Sequence, residues 1–441
     1  MEDSILVTYR IAFHGALAAA AEEIASLETT GHWQGRGEST ALFRRCEGWV
    51  VAVREEAPGE GEVDVALPTV NLSNNSPFTD LYMAIASGAF PALLEFDKAQ
   101  IVDIQLPAAF LDQFPGPGLG ADRLIARFRE TNPGPLMVGT IVKPVAGMTP
   151  EEVASDCAVA AAAGVVWIKD DQKMLNPAYC PLISKVAAVV RALSDVEQQT
   201  GRRRPLYAPQ VTARADRVLD EARRAIDAGA EAVMLNFMAS GFNALEILAE
   251  AQLGVPVYAH CGGKETMTRV SGQGVHPQLV ALLARLCGAD LIRVSAPGGD
   301  LVHSDPPTVQ RCLEACTRSL PGQPALLPAV SGGLNPANLP TTLDVCGRDV
   351  LFLAGRGVAG HPNGIKGGVR AMEQAAQAWI EGIDLQVYAH DHGELRAYLG
   401  TLGTKAAGAY EDAVEETSSG RPDGSIPSGV RTKPSLSEVE S

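Results

Sequence analysis

From about Leu136 the hydrophobic and polar positions repeat one unit, an amphipathic stretch with helical spacing followed by a short apolar run. Eight such runs occur, at Leu136 to Lys143, Val165 to Asp170, Leu206 to Val211, Ala232 to Asn236, Pro256 to His260, Leu291 to Ser295, Leu327 to Ser331 and Val350 to Ala354. Short apolar runs alternating with helical patterns are the pattern of buried parallel strands, and eight units predict a (β/α)8 TIM barrel. The punctuation agrees. Thr149-Pro150-Glu151-Glu152 supplies a cap, a first-turn proline and acids matched to the helix dipole, while Gly164, Gly229, Gly254 and Gly288 each follow a helical stretch and precede a strand.

Ahead of the barrel, strand-like Ile5 to Phe13 and Trp49 to Val53 mix with helical Gly15 to Ser26 and Pro77 to Ala89. This reads as a smaller α+β domain of ferredoxin-like type over residues 1–130. The barrel is expected over 131–414. From about Val414 the chain turns to Ser, Gly, Pro and charge, so 415–441 reads as a disordered tail.

The chain has 441 residues, too many for one ordinary core, and its 46% hydrophobic content is that of a globular protein. A net charge of −16 opposes nucleic acid and anionic lipid, so a small anionic substrate meeting a local positive site is the expected partner. Eight cysteines without zinc-type spacing, and an N-terminus without a basic-then-apolar leader, predict a cytoplasmic protein. The most membrane-like run, Cys157 to Ile168, falls short of the roughly 18 apolar residues that spanning requires.

In such a barrel the reactive side chains stand at the C-terminal ends of the strands. Trp167-Ile168-Lys169-Asp170-Asp171-Gln172 closes an apolar run with charge, and Lys169 and Asp171, two apart, point the same way on a strand. Taken alone this also reads as a strand running out into solvent. The other strand ends change the balance: Lys143-Pro144, Gln210-Val211-Thr212, Asn236, His260-Cys261-Gly262-Gly263-Lys264, Arg293, Ser331-Gly332-Gly333 and Gly355-Arg356-Gly357. The glycines after the seventh and eighth strands lie where barrels of this kind cradle a phosphate on bare amides. Lys264, Arg293, Ser331, Gly332, Gly333, Gly355, Arg356 and Gly357 are therefore the candidate substrate-binding residues.

These residues resemble a known family. Gly139-Thr140-Ile141-Val142-Lys143-Pro144 with Gly147, then Ile168-Lys169-Asp170-Asp171, Ser331-Gly332-Gly333, Gly355, Gly357 and Gly360-His361-Pro362 are similar in order and spacing to the large subunit of RuBisCO. The resemblance covers nearly the whole folded chain. It implies a homodimer or higher homo-oligomer with shared active sites, and Glu28-Thr29-Thr30-Gly31 with Trp33 resembles the loop contributed by the partner, with Glu28 one place off the family's glutamate. It implies that Lys169 is carbamylated by CO2 and, with Asp171 and the residue at 172, binds Mg2+. It also makes Lys143 the proton-handling lysine and His260 the contact to sugar hydroxyls; a hydrogen-bonded core histidine is the alternative for His260.

The chain departs from the family in several places. Gln172 stands for a glutamate, which removes one negative charge from the metal set. Val145 replaces a second lysine, Cys261 an arginine that binds the distal phosphate, and Arg293 a histidine. Val294 to Leu301 contains no lysine, and Asp300 falls near that lysine's place. Without that cation the carboxylation intermediate loses its electrostatic clamp. The chain is identified as a RuBisCO-like protein, of the form IV branch. The leading expectation is decarboxylation or carbon–carbon cleavage of a 3-oxo sugar acid phosphate, as in apionate breakdown. The alternatives are isomerisation of 5-methylthioribulose 1-phosphate, enolisation of a diketo-methylthiopentyl phosphate, and a non-catalytic sugar-phosphate binder.

Overall fold

The computed structural model describes residues 3–31, 40–73, 75–92, 96–299, 301 and 303–402. Trp33, Asp300 and the expected tail at 415–441 lie outside the described residues. Residues up to Tyr398 form one compact unit, and the chain from Leu399 belongs to a second.

All eight apolar runs are strands: Met137–Ile141, Trp167–Lys169, Leu206–Ala208, Val233–Asn236, Val257–His260, Leu291–Ser295, Leu327–Ser331 and Leu351–Ala354. Except for the third and fourth, strands adjacent in sequence pair in parallel, and the eighth pairs with the first. The third and fourth are joined by Val211 N to Met234 O at 2.9 Å and Met234 N to Pro209 O at 2.9 Å, so the barrel is closed and leaves no edge. Between strands, the helix Pro150–Ala163 begins with a full Thr149–Glu152 capping box and ends at Gly164, whose φ of +99° is a left-handed conformation that a Cβ would disfavour.

Side chains alternate along each strand, and here the alternation separates barrel interior from helix layer. Met137, Trp167, Leu206, Ala208, Met234, Tyr258, Leu291, Leu327, Ala329, Leu351 and Leu353 pack together inside. The helix Gly120–Thr131 covers one end of this core with Ala121, Leu124 and Phe128, and Phe128 meets Trp167 edge to face at 5.9 Å. The boundary expected at 130/131 falls inside this helix, whose apolar face belongs to the barrel.

Residues of the opposite parity face outward. Asp170 accepts from Lys185 Nζ at 2.5 Å, Tyr207 Oη at 2.7 Å and Gln210 N at 2.9 Å. Lys185 comes from the helix Leu182–Thr200, and both Lys185 and Asp170 are buried. The first of the paired aspartates, Asp170, thus ties strand to helix, while Asp171 is left to the interior.

Before the barrel, strands Ser4–Phe13, Trp49–Ala57, Glu60–Pro68 and Phe96–Gln105 alternate with helices Leu17–Leu27 and Pro77–Ala86. The sheet is antiparallel in the order fourth, first, third, second, the ferredoxin-like arrangement expected. Glu60–Pro68 and Phe96–Gln105 were not anticipated. In the former, Val63 and Val65 alternate with Glu62 and Asp64; the valines face the core, and the acids pair with Arg10, Arg54 and Thr8 on the other face. Gln273–Val275, from the connection after the fifth barrel strand, adds a parallel strand to Phe96–Gln105. No helix among the described residues is long and apolar enough to cross a membrane.

Removing one member of the Asp170–Lys185 pair strands the other charge in a dry layer. Lys185→Met is expected to destabilise the protein by about 3–5 kcal/mol in denaturant unfolding, with Asp170→Asn in the same chain restoring part of the loss. A loss within experimental error of zero contradicts this role.

Candidate active site

Continuing the inward parity past the strand ends gives a ring: Lys143, Lys169 and Asp171, Gln210, Asn236, His260, Arg293, Ser331 and Gly355. The cross-strand registers Ile141 with Lys169, Asn236 with His260, and Ile292 with Ala259 place these tips side by side. Lys143 Nζ lies 2.5 Å from Asp171 Oδ2, and Asp171 Oδ1 accepts from Lys173 N at 3.0 Å. Lys143 is also close to the eighth strand, since a Cβ on Gly355 would stand 3.7 Å from its Cε.

Lys169 is fully enclosed. Its Nζ donates to the Asp170 carbonyl at 2.8 Å and lies 5.6 Å from the centre of the Tyr258 ring. Burial, with Lys143 and Arg293 nearby, outweighs the attraction of Asp171 and Asp170, and the ammonium is lowered to about 7. His260 is buried among the same cations, and desolvation with Lys169, Arg293 and Lys143 holds it well below its ordinary value, so the ring is neutral. Its Nδ1 accepts from Gly262 N at 2.9 Å, which assigns the proton to Nε2.

A chain of hydrogen bonds fixes the rim between the second and fifth strands. Gln210 Nε2 donates to Gln172 O at 2.9 Å, Thr212 Oγ1 to Gln210 Oε1 at 2.7 Å, Asn236 N to Thr212 Oγ1 at 2.7 Å, and Asn236 Nδ2 to Gly262 O at 3.1 Å. Gln172 is anchored at this rim through its backbone.

On the far side, Arg293 and Lys264, both candidate substrate-binding residues, share one carboxylate. Glu265 Oε1 lies 2.8 Å from Arg293 Nη2 and 3.3 Å from Lys264 Nζ. Burial raises the Glu265 carboxyl, but the two cations prevail and hold it below the usual carboxylate range. Nothing in the local pattern marks Glu265, because it acts from the turn Glu265–Thr268 that folds back over the strand end. Lys185 was also missed, although a lone lysine among Leu182, Val186 and Val189 on one helix face was a readable sign of a buried partner.

After the seventh strand, Gly332 and Gly333 are consecutive left-handed residues, with φ of +94° and +79°. A Cβ at Gly332 would fall 2.2 Å from Leu301 Cδ1. Ser331 is buried beside them. Gly357 has a packing reason to be glycine, since a Cβ there would meet Leu334 O at 2.4 Å; Arg356 opens a short turn of helix on the exposed side. His361 serves the fold, with Nε2 against Glu394 O at 2.9 Å and Nδ1 accepting from Asn363 N at 3.0 Å. Glu28 is not presented outward: its carboxylate oxygens accept from Gly88 N and Ala89 N at 2.8 and 2.9 Å within its own domain.

The donor set for Mg2+ is thin. Among the described residues no group of three or more His, Cys, Asp and Glu is placed to hold a metal ion. Asp171 is the one inward carboxylate of the ring, because Asp170 faces the helix layer. Magnesium favours hard oxygen donors, so the residues fit it only once the Lys169 amine carries a carboxylate. The lowered Lys169 suits that reaction, which requires an uncharged amine.

The family description "Ribulose bisphosphate carboxylase large chain, catalytic domain" matches residues 121–401. A 3-oxo-isoapionate-4-phosphate decarboxylase of Rhizobium etli is 33% identical over 90% of this chain and 98% of its own. A 2,3-diketo-5-methylthiopentyl-1-phosphate enolase of Geobacillus kaustophilus is 29% identical over 91% and 98%. The crystal structure of a rubisco-like protein from Alicyclobacillus acidocaldarius superposes with a TM-score of 0.78 at 29% identity, covering 91% of this chain and 99% of that one. The inward ring and these similarities lead to one conclusion: the chain belongs to the RuBisCO large-chain family, as a RuBisCO-like protein.

Proposed function

We propose that the chain is a non-carboxylating enzyme performing enolate chemistry on a phosphorylated sugar acid, with decarboxylation of a 3-oxo sugar acid phosphate as its reaction. The observation that carries this reading is the inward Arg293, held between His260 at the end of the fifth strand and the Ser331-Gly332-Gly333 turn that closes the neighbouring seventh strand. Such a mouth offers a guanidinium to a substrate carboxylate and, at the next strand end, bare amides to a phosphate. The decarboxylase of Rhizobium etli, similar over nearly the whole chain, supports the same substrate class.

In this reading the bond from the β-keto acid's α-carbon to its carboxylate breaks, CO2 leaves, and the electron pair passes to the ketone as an enolate. Lys143, kept in place by Asp171, hydrogen-bonds the developing oxyanion and returns a proton to the α-carbon. His260 donates from Nε2 to a substrate hydroxyl. Asp171, Gln172 and a carbamylated Lys169 would hold Mg2+, which when bound supplies Lewis-acid stabilisation of the enolate oxygen. The Gln210–Thr212–Asn236 chain keeps the rim rigid around the reacting carbon.

A second reading, a methionine-salvage enolase or isomerase, is supported by the enolase of Geobacillus kaustophilus, 29% identical over 91% of this chain.

Incubation with a 3-oxo sugar acid phosphate is expected to release CO2, and Lys143→Met to slow that release by about a hundredfold to ten-thousandfold without loss of fold. Absence of CO2 together with clean turnover of a methylthio sugar phosphate reverses the ranking, and turnover of neither supports a pure binder.

Carbamate formation consumes the uncharged amine. With Lys169 lowered to about 7, the carbamate signal from 13C-labelled CO2, at fixed dissolved CO2, is expected to rise as pH increases through neutrality and then level off. An ordinary lysine, near pKa of about 10.4, shows that rise only in strong base. Lys169→Arg abolishes the signal; its persistence in that variant, or a rise delayed to about pH 10, contradicts the assignment.

A further inference from the structure

We propose that Glu265 sets the specificity of the far end of the mouth, tuning it to a singly charged carboxylate and against a phosphate dianion. The inference rests on the reading above, in which one end of the substrate is a phosphate and the other a sugar-acid carboxylate.

Three charged side chains meet at this end. Arg293 points inward from the sixth strand, with its side chain 11% exposed, and Lys264 follows the fifth strand with 7%. Two cations on their own would match a phosphate dianion. One Glu265 oxygen contacts both, at 2.8 Å and 3.3 Å, and reduces the cluster from two positive charges to one. A dianion entering here meets a carboxylate already bound to both cations, and its second charge has no partner. A carboxylate monoanion balances the net charge, and among the described residues Arg293 Nε is a buried donor without a hydrogen-bond partner in this cluster.

The cluster is built into the fold. Arg293 is fixed by its register beside Ala329, and Cys261 Sγ packs outward against the Arg293 carbonyl at 3.5 Å. His303, in a left-handed conformation with φ of +63°, lies 3.1 Å from Thr268 Oγ1 and buttresses the turn that carries Glu265. With Arg293 and Lys264 largely buried and Glu265 27% exposed, water screens a like charge at contact distance only in part, and the cluster discriminates against a second negative charge.

The test compares two probes on the full-length protein by calorimetry: erythronate 4-phosphate, with a phosphate and a carboxylate, and erythritol 1,4-bisphosphate, with two phosphates. The wild-type protein is expected to favour the first. Glu265→Gln, nearly the same shape without the charge, shifts the ratio of dissociation constants at least about tenfold towards the bisphosphate, the scale of one charge-assisted contact. Glu265→Asp keeps the wild-type preference, and Lys264→Met weakens the carboxylate probe. A Glu265→Gln protein that binds both probes in the wild-type ratio overturns the inference and leaves the proposed function standing. Failure of the wild-type protein to bind either probe overturns the reading beneath it.

Discussion

The constraint on which this structure depends is the alternation of side chains along eight short strands closed into a barrel. A strand of three residues, Trp167–Lys169, is enough to send Lys169 inward and Asp170 outward. Closure then brings inward residues from strands far apart in sequence to one mouth, at no cost in exposed edge. The same rule that buries Trp167 and Tyr258 in the barrel's lower layer places Lys169 and His260 in its upper one. The packed core and the chemistry are consecutive layers of a single column of side chains.

Charge in that upper layer is arranged by how much water each group loses. Asp170 is desolvated but has three donors, so it makes a fastening between strand and helix. Lys169 is desolvated with few acceptors, and its ammonium gives up its proton correspondingly readily. His260, in the same cation-rich surroundings, stays uncharged. Lys143 retains partial access to solvent and reaches Asp171. Neighbouring residues with ordinary chemistry thus acquire separate roles from burial alone, the usual way in which a single fold sets acid and base functions side by side.

Much of this was legible in the sequence. The apolar runs carried the barrel because buried parallel strands leave an uninterrupted signal, and the polar residue closing each run marked the mouth. Lys169 and Asp171 shared a face by their spacing alone. The N-terminal strands were harder: Glu60–Pro68 alternates valines with acids across a half-polar sheet, and Phe96–Gln105 begins with Phe-Asp-Lys, so neither stands out from its surroundings. Glu265 was invisible for a different reason. Its role arises from a turn folding back across two strands, and no local periodicity encodes that contact. Glu28 shows the converse, since its place in the sequence suggested a shared site while its carboxylate caps Gly88 and Ala89 in its own domain.

The most direct test of the central claim, that the inward ring is one substrate site, is a crystal structure of the protein with an unreactive sugar acid phosphate. The account predicts the phosphate against Gly332 and Gly333, the carboxylate at Arg293, and a central oxygen between Lys143 and Lys169. A ligand ordered elsewhere on the molecule, with Lys143 and Asp171 still joined and the mouth filled only by solvent, would contradict it.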